Sequence, residues 1–208
     1  MFDNTDSIKN IAADLMHRND WVILDTETTG LDEYAEAVSI GIIDPAGNVL
    51  VDALVQPTQM IPAKATAIHG ISNEMVKNAR SFRDTIPMIH AATAEKTIVV
   101  YNAPYDKRIL TQSFDPYICD HRFGDNELEM MINIDRSEWL DVMAPYAEYH
   151  GDYNDYYDSY RWQKLTMAAA QMDVTVSGDA HRAIPDCLMT LGVIKAVYER
   201  ELMENLNK

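Results

Sequence analysis

The stretch "WVILDTETTG", Trp21 to Gly30, constrains the fold more than any other: an apolar run breaks off into two acids spaced one residue apart. Such a run, closed by a Thr-Thr-Gly turn, reads as a buried strand. Alternate side chains of a strand share a face, so Asp25 and Glu27 point the same way. Two neighbouring anions repel unless something positive lies between them. The end of this strand reads either as a terminus with two solvated acids or as a pair held by something positive.

The elements around it follow from pattern and punctuation. "SIKNIAADLMHR", residues 7–18, places Ile8, Ile11, Ala12 and Leu15 at helical spacing behind a Ser7 cap. "AVSIGIID" and "VLVDALVQP" are strands joined by the turn "PAGN", which makes a hairpin. From Ile61 to Ala94 the pattern is helical, and Pro87 predicts a kink or a later start for the segment opening at Ser81. "KTIVVYN" is a strand and "YDKRILTQSF" a helix. Residues 115–138 give one strand candidate, "EMMINID". "YRWQKLTMAAAQM" and "HRAIPDCLMTLGVIKAVYERELMENL" read as helices. Pro185 is tolerated only in a first turn, so the last helix should begin near Ala183. Antiparallel strands followed by strands alternating with helices predict an α/β fold, a mixed sheet flanked by helices. With neither linker nor repeat in its 208 residues, the chain is expected to form a single domain.

Composition narrows the function. With 17 basic against 33 acidic residues the net charge is -16. That argues against gripping long nucleic acid by counterion release. It leaves open an enzyme that holds one or two nucleotides through divalent metals, whose charge no count of Lys and Arg includes. The 47% apolar content argues against disorder. No run approaches the roughly 18 apolar residues of a membrane helix, so no membrane partner is expected. The polar start "MFDNTDSIKN" lacks the order of a signal peptide, and Cys119 and Cys187 form no CxxC pair. A cytoplasmic protein is expected.

Three further features matter only in combination. Asp106 opens a helix after a strand, where a lone acid reads as a dipole-favoured first-turn residue. His181 precedes Asp186 by five residues at the head of the last helix, and alone reads as a loop residue. His69 and Gly70 by themselves read as a tight bend. Their order along the chain resembles the DEDDh (DnaQ-like) family of 3′-5′ exonucleases, relatives of the proofreading epsilon subunit of bacterial replicative polymerase. The motif D-x-E-T-T-G is matched by Asp25, Glu27, Thr28, Thr29 and Gly30, and N-x-x-F-D by Asn102, Tyr105 and Asp106. H-x-A-x-x-D is matched by His181, Ala183 and Asp186, with His69 and Gly70 between the first two motifs. Two positions depart: Tyr101 stands where many relatives have His, and Tyr105 where Phe is usual, each keeping an aromatic ring.

The resemblance implies a ribonuclease H-like fold and hydrolysis assisted by two Mg²⁺ ions, about 4 Å apart, with Mn²⁺ as a substitute. Asp25 would bridge the ions, Glu27 and Asp186 would complete the site of the water-activating one, and Asp106 would serve the other. His181 would be the general base. Thr28 and Thr29 would meet the 3′-terminal nucleotide, Leu31 would wedge against its base, and His69, Asn102 and Tyr105 would line its pocket. For Leu31 and Tyr105, ordinary core packing is the competing reading. The expected substrate is a single-stranded DNA 3′ end and the product a nucleoside 5′-monophosphate. RNA trimming, a non-catalytic nucleic-acid-binding module and a small-molecule phosphatase are the alternatives. The chain's ending at "ELMENLNK" suggests a free-standing nuclease over a polymerase subunit. The segment "YAEYHGDYNDYYDSYRW", residues 146–162, with seven aromatics and four acids, admits two readings. It is either a stacking surface for bases, or a loop whose rings pack on the domain or a homodimer interface.

Overall fold

The computed structural model describes residues 7–119, 125–176 and 182–206. In chain order the elements are α1 (Ile8–Met16), β1 (Trp21–Thr28), β2 (Ala37–Ile43), β3 (Val49–Gln56), α2 (Ala63–His69), α3 (Asn73–Val76), β4 (Arg80–Ser81) and α4 (Phe82–Thr93). There follow β5 (Thr97–Val100), α5 (Ala103–Cys119), α6 (Asp125–Arg136), β6 (Trp139–Asp141), α7 (Met143–His150), β7 (Tyr153–Asn154), β8 (Ser159–Tyr160), α8 (Leu165–Gln171) and α9 (Ala183–Leu206). No helix among the described residues is long and apolar enough to cross a membrane.

The main sheet has the strand order β4-β3-β2-β1-β5-β6. β1 runs antiparallel to β2 and parallel to β5, and β5 parallel to β6, so the sheet is mixed as the sequence predicts. Residue parity along β1 divides the core. Val22 and Leu24 face α4, α5 and α6, whereas Trp21 and Ile23 face α1, α7, α8 and α9. Asp25 and Glu27 continue the odd set and so point toward α9, while Thr26 points toward α5. The β2–β3 turn closes on Gly47 at φ 90°, and the Asp44 carboxylate accepts from the Ala46 and Asn48 N–H groups.

Three sequence expectations are corrected. "EMMINID" lies in α6, not in a strand: Met131 and Ile134, three apart, are buried, while Ile132 is exposed. The helix expected from Tyr160 starts at Leu165, because Tyr160 pairs with Tyr153 across the β7–β8 hairpin. α4 begins at Phe82 and continues through Pro87, with the Ser81 side chain accepting from the Asp84 N–H at its head. In the aromatic-rich segment the hairpin holds Tyr153 edge-on to Tyr160 and leaves Tyr156 and Tyr157 exposed.

Two small residues let α9 lie close to the sheet. Gly41, the register partner of Asp25, meets Ala183 so closely that a Cβ there would be 2.8 Å from the Ala183 backbone carbon. One turn on, the buried Cys187 thiol donates to the Gly41 and Ile23 carbonyls at 3.5 and 3.7 Å. The first turn of α9 is thereby seated across β1 and β2.

Candidate active site

The pairing of β1 with β5 stops at Ile23, although β1 runs on to Thr28. The freed edge opens a cleft at the carboxyl ends of the parallel strands, the usual ligand position in α/β sheets. Three elements converge there. β1 supplies Asp25 and Glu27, α9 supplies Asp186 from the face toward which they point, and α5 brings Asp106 to the other side. Carboxylate oxygens of Asp25, Glu27 and Asp186 all lie within 4.8 Å of one another. Asp106 is outside that triplet, buried, and its Oδ1 accepts a 2.7 Å hydrogen bond from the Thr26 hydroxyl. The only sequence signal for Thr26 is strand parity, which turns it away from its two acidic neighbours.

A brace behind Asp106 is equally hidden in the sequence. Asp141, at the end of β6, accepts from the Ala103 N–H with one oxygen and from the Ala144 N–H with the other, fixing the starts of α5 and α7. The capping is readable only once the three-residue strand β6 places Asp141 beside both helices.

The electrostatics of the cleft run against ionisation. Burial, then Asp106, Asp186 and Glu27, hold the Asp25 carboxyl well above the usual carboxylate range. Burial, then Asp186 and Asp106, push Glu27 up to about 8, opposed by Arg182. Burial pushes Asp106 up to about 7 against the hydrogen bond from Thr26. Crowded hard oxygen donors that resist losing their protons are a set that a small divalent cation would satisfy. The donor set suits Mg²⁺ or Mn²⁺ and carries none of the thiolate that softer metals favour.

Beside Glu27 lies a cavity of about 500 Å³ whose wall includes Thr28, Thr29, Leu31, His69 and Tyr105. Leu31 is 79% exposed, which excludes core packing for it. Tyr105 is half-buried, and its hydroxyl forms a triangle with the Thr28 hydroxyl and the Gly30 carbonyl, with edges of 2.7–2.9 Å. The Thr29 hydroxyl accepts from the Glu36 N–H, tying down the turn behind the acids. His69 is buried: Nδ1 accepts from the Ile71 N–H, which leaves Nε2 to donate to the Thr28 carbonyl at 3.2 Å. Its ring is thus both a wall and a strut between α2 and β1.

Asn102 is half-buried at the head of α5, and its carboxamide has no hydrogen-bond partner among the described residues. Tyr101 is buried, its hydroxyl donating to the Gln163 carbonyl. Lys64 and Ile68, to which no sequence signal points, also face the cavity. They are four apart on α2, and Ile68 is an exposed apolar residue directly before the His-Gly turn. His181 lies outside the described residues.

Comparison with known proteins bears on the family and the fold. The family model described as an exonuclease, RNase T, matches residues 22–194. The exonuclease CP81 of Escherichia phage 186, described as uncharacterised, is 44% identical over 183 residues, 86% of this chain and 88% of that one. Among solved structures, Exonuclease X in complex with 5′-overhanging duplex DNA superposes with a TM-score of 0.61 at 23% identity, covering 86% of this chain and 92% of that one. Escherichia coli Exonuclease I in complex with a dA16 oligonucleotide gives 0.62 at 18% identity, covering 88% of this chain and 42% of that one. At such identities the two structures speak for the fold, a ribonuclease H-like α/β arrangement. The motifs, the acid cluster and the family match together place the chain in the RNase T exonuclease family, among the DEDDh (DnaQ-like) exonucleases.

Proposed function

We propose that this exonuclease is a divalent-metal-dependent 3′-5′ enzyme that removes nucleoside 5′-monophosphates from single-stranded DNA ends. The observation that carries this reading is the acid triplet standing directly beside a nucleotide-sized cavity with an apolar wall. Asp25, Glu27 and Asp186, with Asp106 behind, would hold two Mg²⁺ ions, or Mn²⁺ in their place. Bound there, the ions supply the positive charge that eases deprotonation of a water and offsets charge on the departing 3′ oxygen.

The chain's own side chains do the rest. Leu31 and Ile68 offer apolar surface to the terminal base. The Thr28 and Tyr105 hydroxyls, whose protons stay within the triangle with the Gly30 carbonyl, keep lone pairs to accept from a sugar hydroxyl, Asn102 offers a free carboxamide, and Lys64 offers a cation to the strand. Thr29 and His69 hold the floor of the cavity from behind. His181, five residues before Asp186 in H-x-A-x-x-D, takes the proton of the attacking water. All of this sits in one domain spanning residues 1–208. The dA16 oligonucleotide bound in the Exonuclease I complex supports DNA as the polymer.

The test is a degradation time course on 5′-labelled single-stranded DNA, duplex DNA and RNA, with Mg²⁺, with Mn²⁺ and with EDTA. A ladder of progressively shorter labelled DNA strands with either cation, absent in EDTA, is the expected result. Immediate release of the labelled end nucleotide would reverse the polarity, faster shortening of RNA would reassign the sugar, and activity in EDTA would remove the metals.

A further inference from the structure

Arg108 stands two residues beyond Asp106 on α5, but its guanidinium turns to the segment after the Thr-Thr-Gly turn. Nη1 donates to the Asp32 carbonyl at 3.1 Å and Nη2 to the Leu31 carbonyl at 3.3 Å. The guanidinium carbon lies 5.3 Å from the centre of the Tyr105 ring. Nη1 also donates to Gln112 Oε1 at 2.8 Å, and Gln112 Nε2 donates in turn to the Asp32 carbonyl at 3.0 Å. One turn of α5 thus grips two successive backbone carbonyls of the connection that carries Leu31. The Asp32 carboxylate, the more obvious partner for an arginine, accepts instead from the Tyr34 N–H.

Bonds to carbonyls fix a backbone whatever side chain it carries. Leu31 is 79% exposed and forms a wall of the cavity, so little packing of its own fixes its position. An exposed loop of this kind would have to be ordered when a ligand binds, and that ordering weakens affinity. A planar fork with several donors can order it beforehand, which a lysine's single ammonium does less well.

We propose that Arg108, braced by Gln112, is a positioning residue that presets the Leu31 wall and so determines how tightly the 3′-terminal nucleotide is held. The proposal rests on the reading that the cavity receives that nucleotide. Arg108 bonds to the Leu31 and Asp32 carbonyls and to Gln112 but to none of the four acids, so its effect belongs in binding and not in the chemical step.

A double-mutant cycle with Arg108→Ala, Leu31→Ala and the double variant tests this, with steady-state kinetics on a single-stranded oligonucleotide. Arg108→Ala should raise KM about tenfold, the loss of two modest hydrogen bonds, with kcat within about twofold. Arg108→Lys should recover part of the loss and Gln112→Ala should show a smaller rise. Leu31→Ala should raise KM too, and the double variant should be no worse than the poorer single one, because both remove the same wall. If Leu31→Ala raises KM while Arg108→Ala lowers only the melting temperature, the positioning role fails and the cavity reading stands. If Leu31→Ala leaves KM unchanged, the cavity reading fails and takes the positioning role with it. Fully additive rises in KM also overturn the proposal.

Discussion

Asp25→Asn is expected to fold normally and to hydrolyse nothing measurable in the labelled-oligonucleotide assay. Asp25 is the acid that all the others act on: Asp106, Asp186 and Glu27 each raise its carboxyl, in addition to burial. A carboxamide has the same shape, keeps an oxygen, and removes one charge from the centre of the cluster. Cation affinity should collapse, since a hard divalent ion needs that charge. Folding should not suffer, because without a cation the Asp25 carboxyl already holds its proton and a neutral carboxamide of the same shape takes its place. In EDTA the variant should melt no lower than the wild-type chain. Loss of activity accompanied by a lower melting temperature in EDTA would assign Asp25 to the fold and not to the metal site.

His181→Ala is expected to reduce kcat by about 10²-fold or more while cation binding persists. A general base contributes to proton removal and not to metal affinity, so the two variants separate the two roles. The rescue of activity at higher pH, where hydroxide replaces the missing base, is the accompanying expectation. Near-wild-type turnover in purified His181→Ala would remove His181 from the chemistry.

Much of the site is legible in the sequence because strand periodicity and helix-start chemistry are local rules. Parity along "WVILDTE" puts Asp25 and Glu27 on one face, and Pro185 fixes the start of α9 at Ala183, with Asp186 in its first turn. The elements that resisted reading owe their state to tertiary partners. Trp139–Asp141 is too short to show alternation and is a strand only because β5 lies beside it. The helical pair Met131 and Ile134 is masked by Ile132, whose exposed position gives "EMMINID" an apparent strand pattern. Gly41 looks like any strand glycine until Ala183 is seen against it. Lys64, Ile68, Thr26 and Arg108 matter through the distant residues they meet, and no spacing rule links segments so far apart in the chain.

If the acids of the cleft converge to hold divalent cations, their raised proton affinity gives cation binding a measurable sign. In the unfolded chain Glu27 would lose its proton near pH 4.5, whereas in the fold it retains it up to about pH 8. Between those values the metal-free folded state binds the extra proton, so its stability falls as pH rises through the window. A cation entering near neutral pH must displace the protons that Glu27 and Asp106 retain. Calorimetric titration of Mn²⁺ at pH 7, repeated in buffers of different ionisation enthalpy, reads this directly. The prediction is two ions bound per chain with net release of protons, and binding strongly weakened by Asp25→Asn. Absence of Mn²⁺ binding, or binding with no proton released and unchanged in Asp25→Asn, would contradict it.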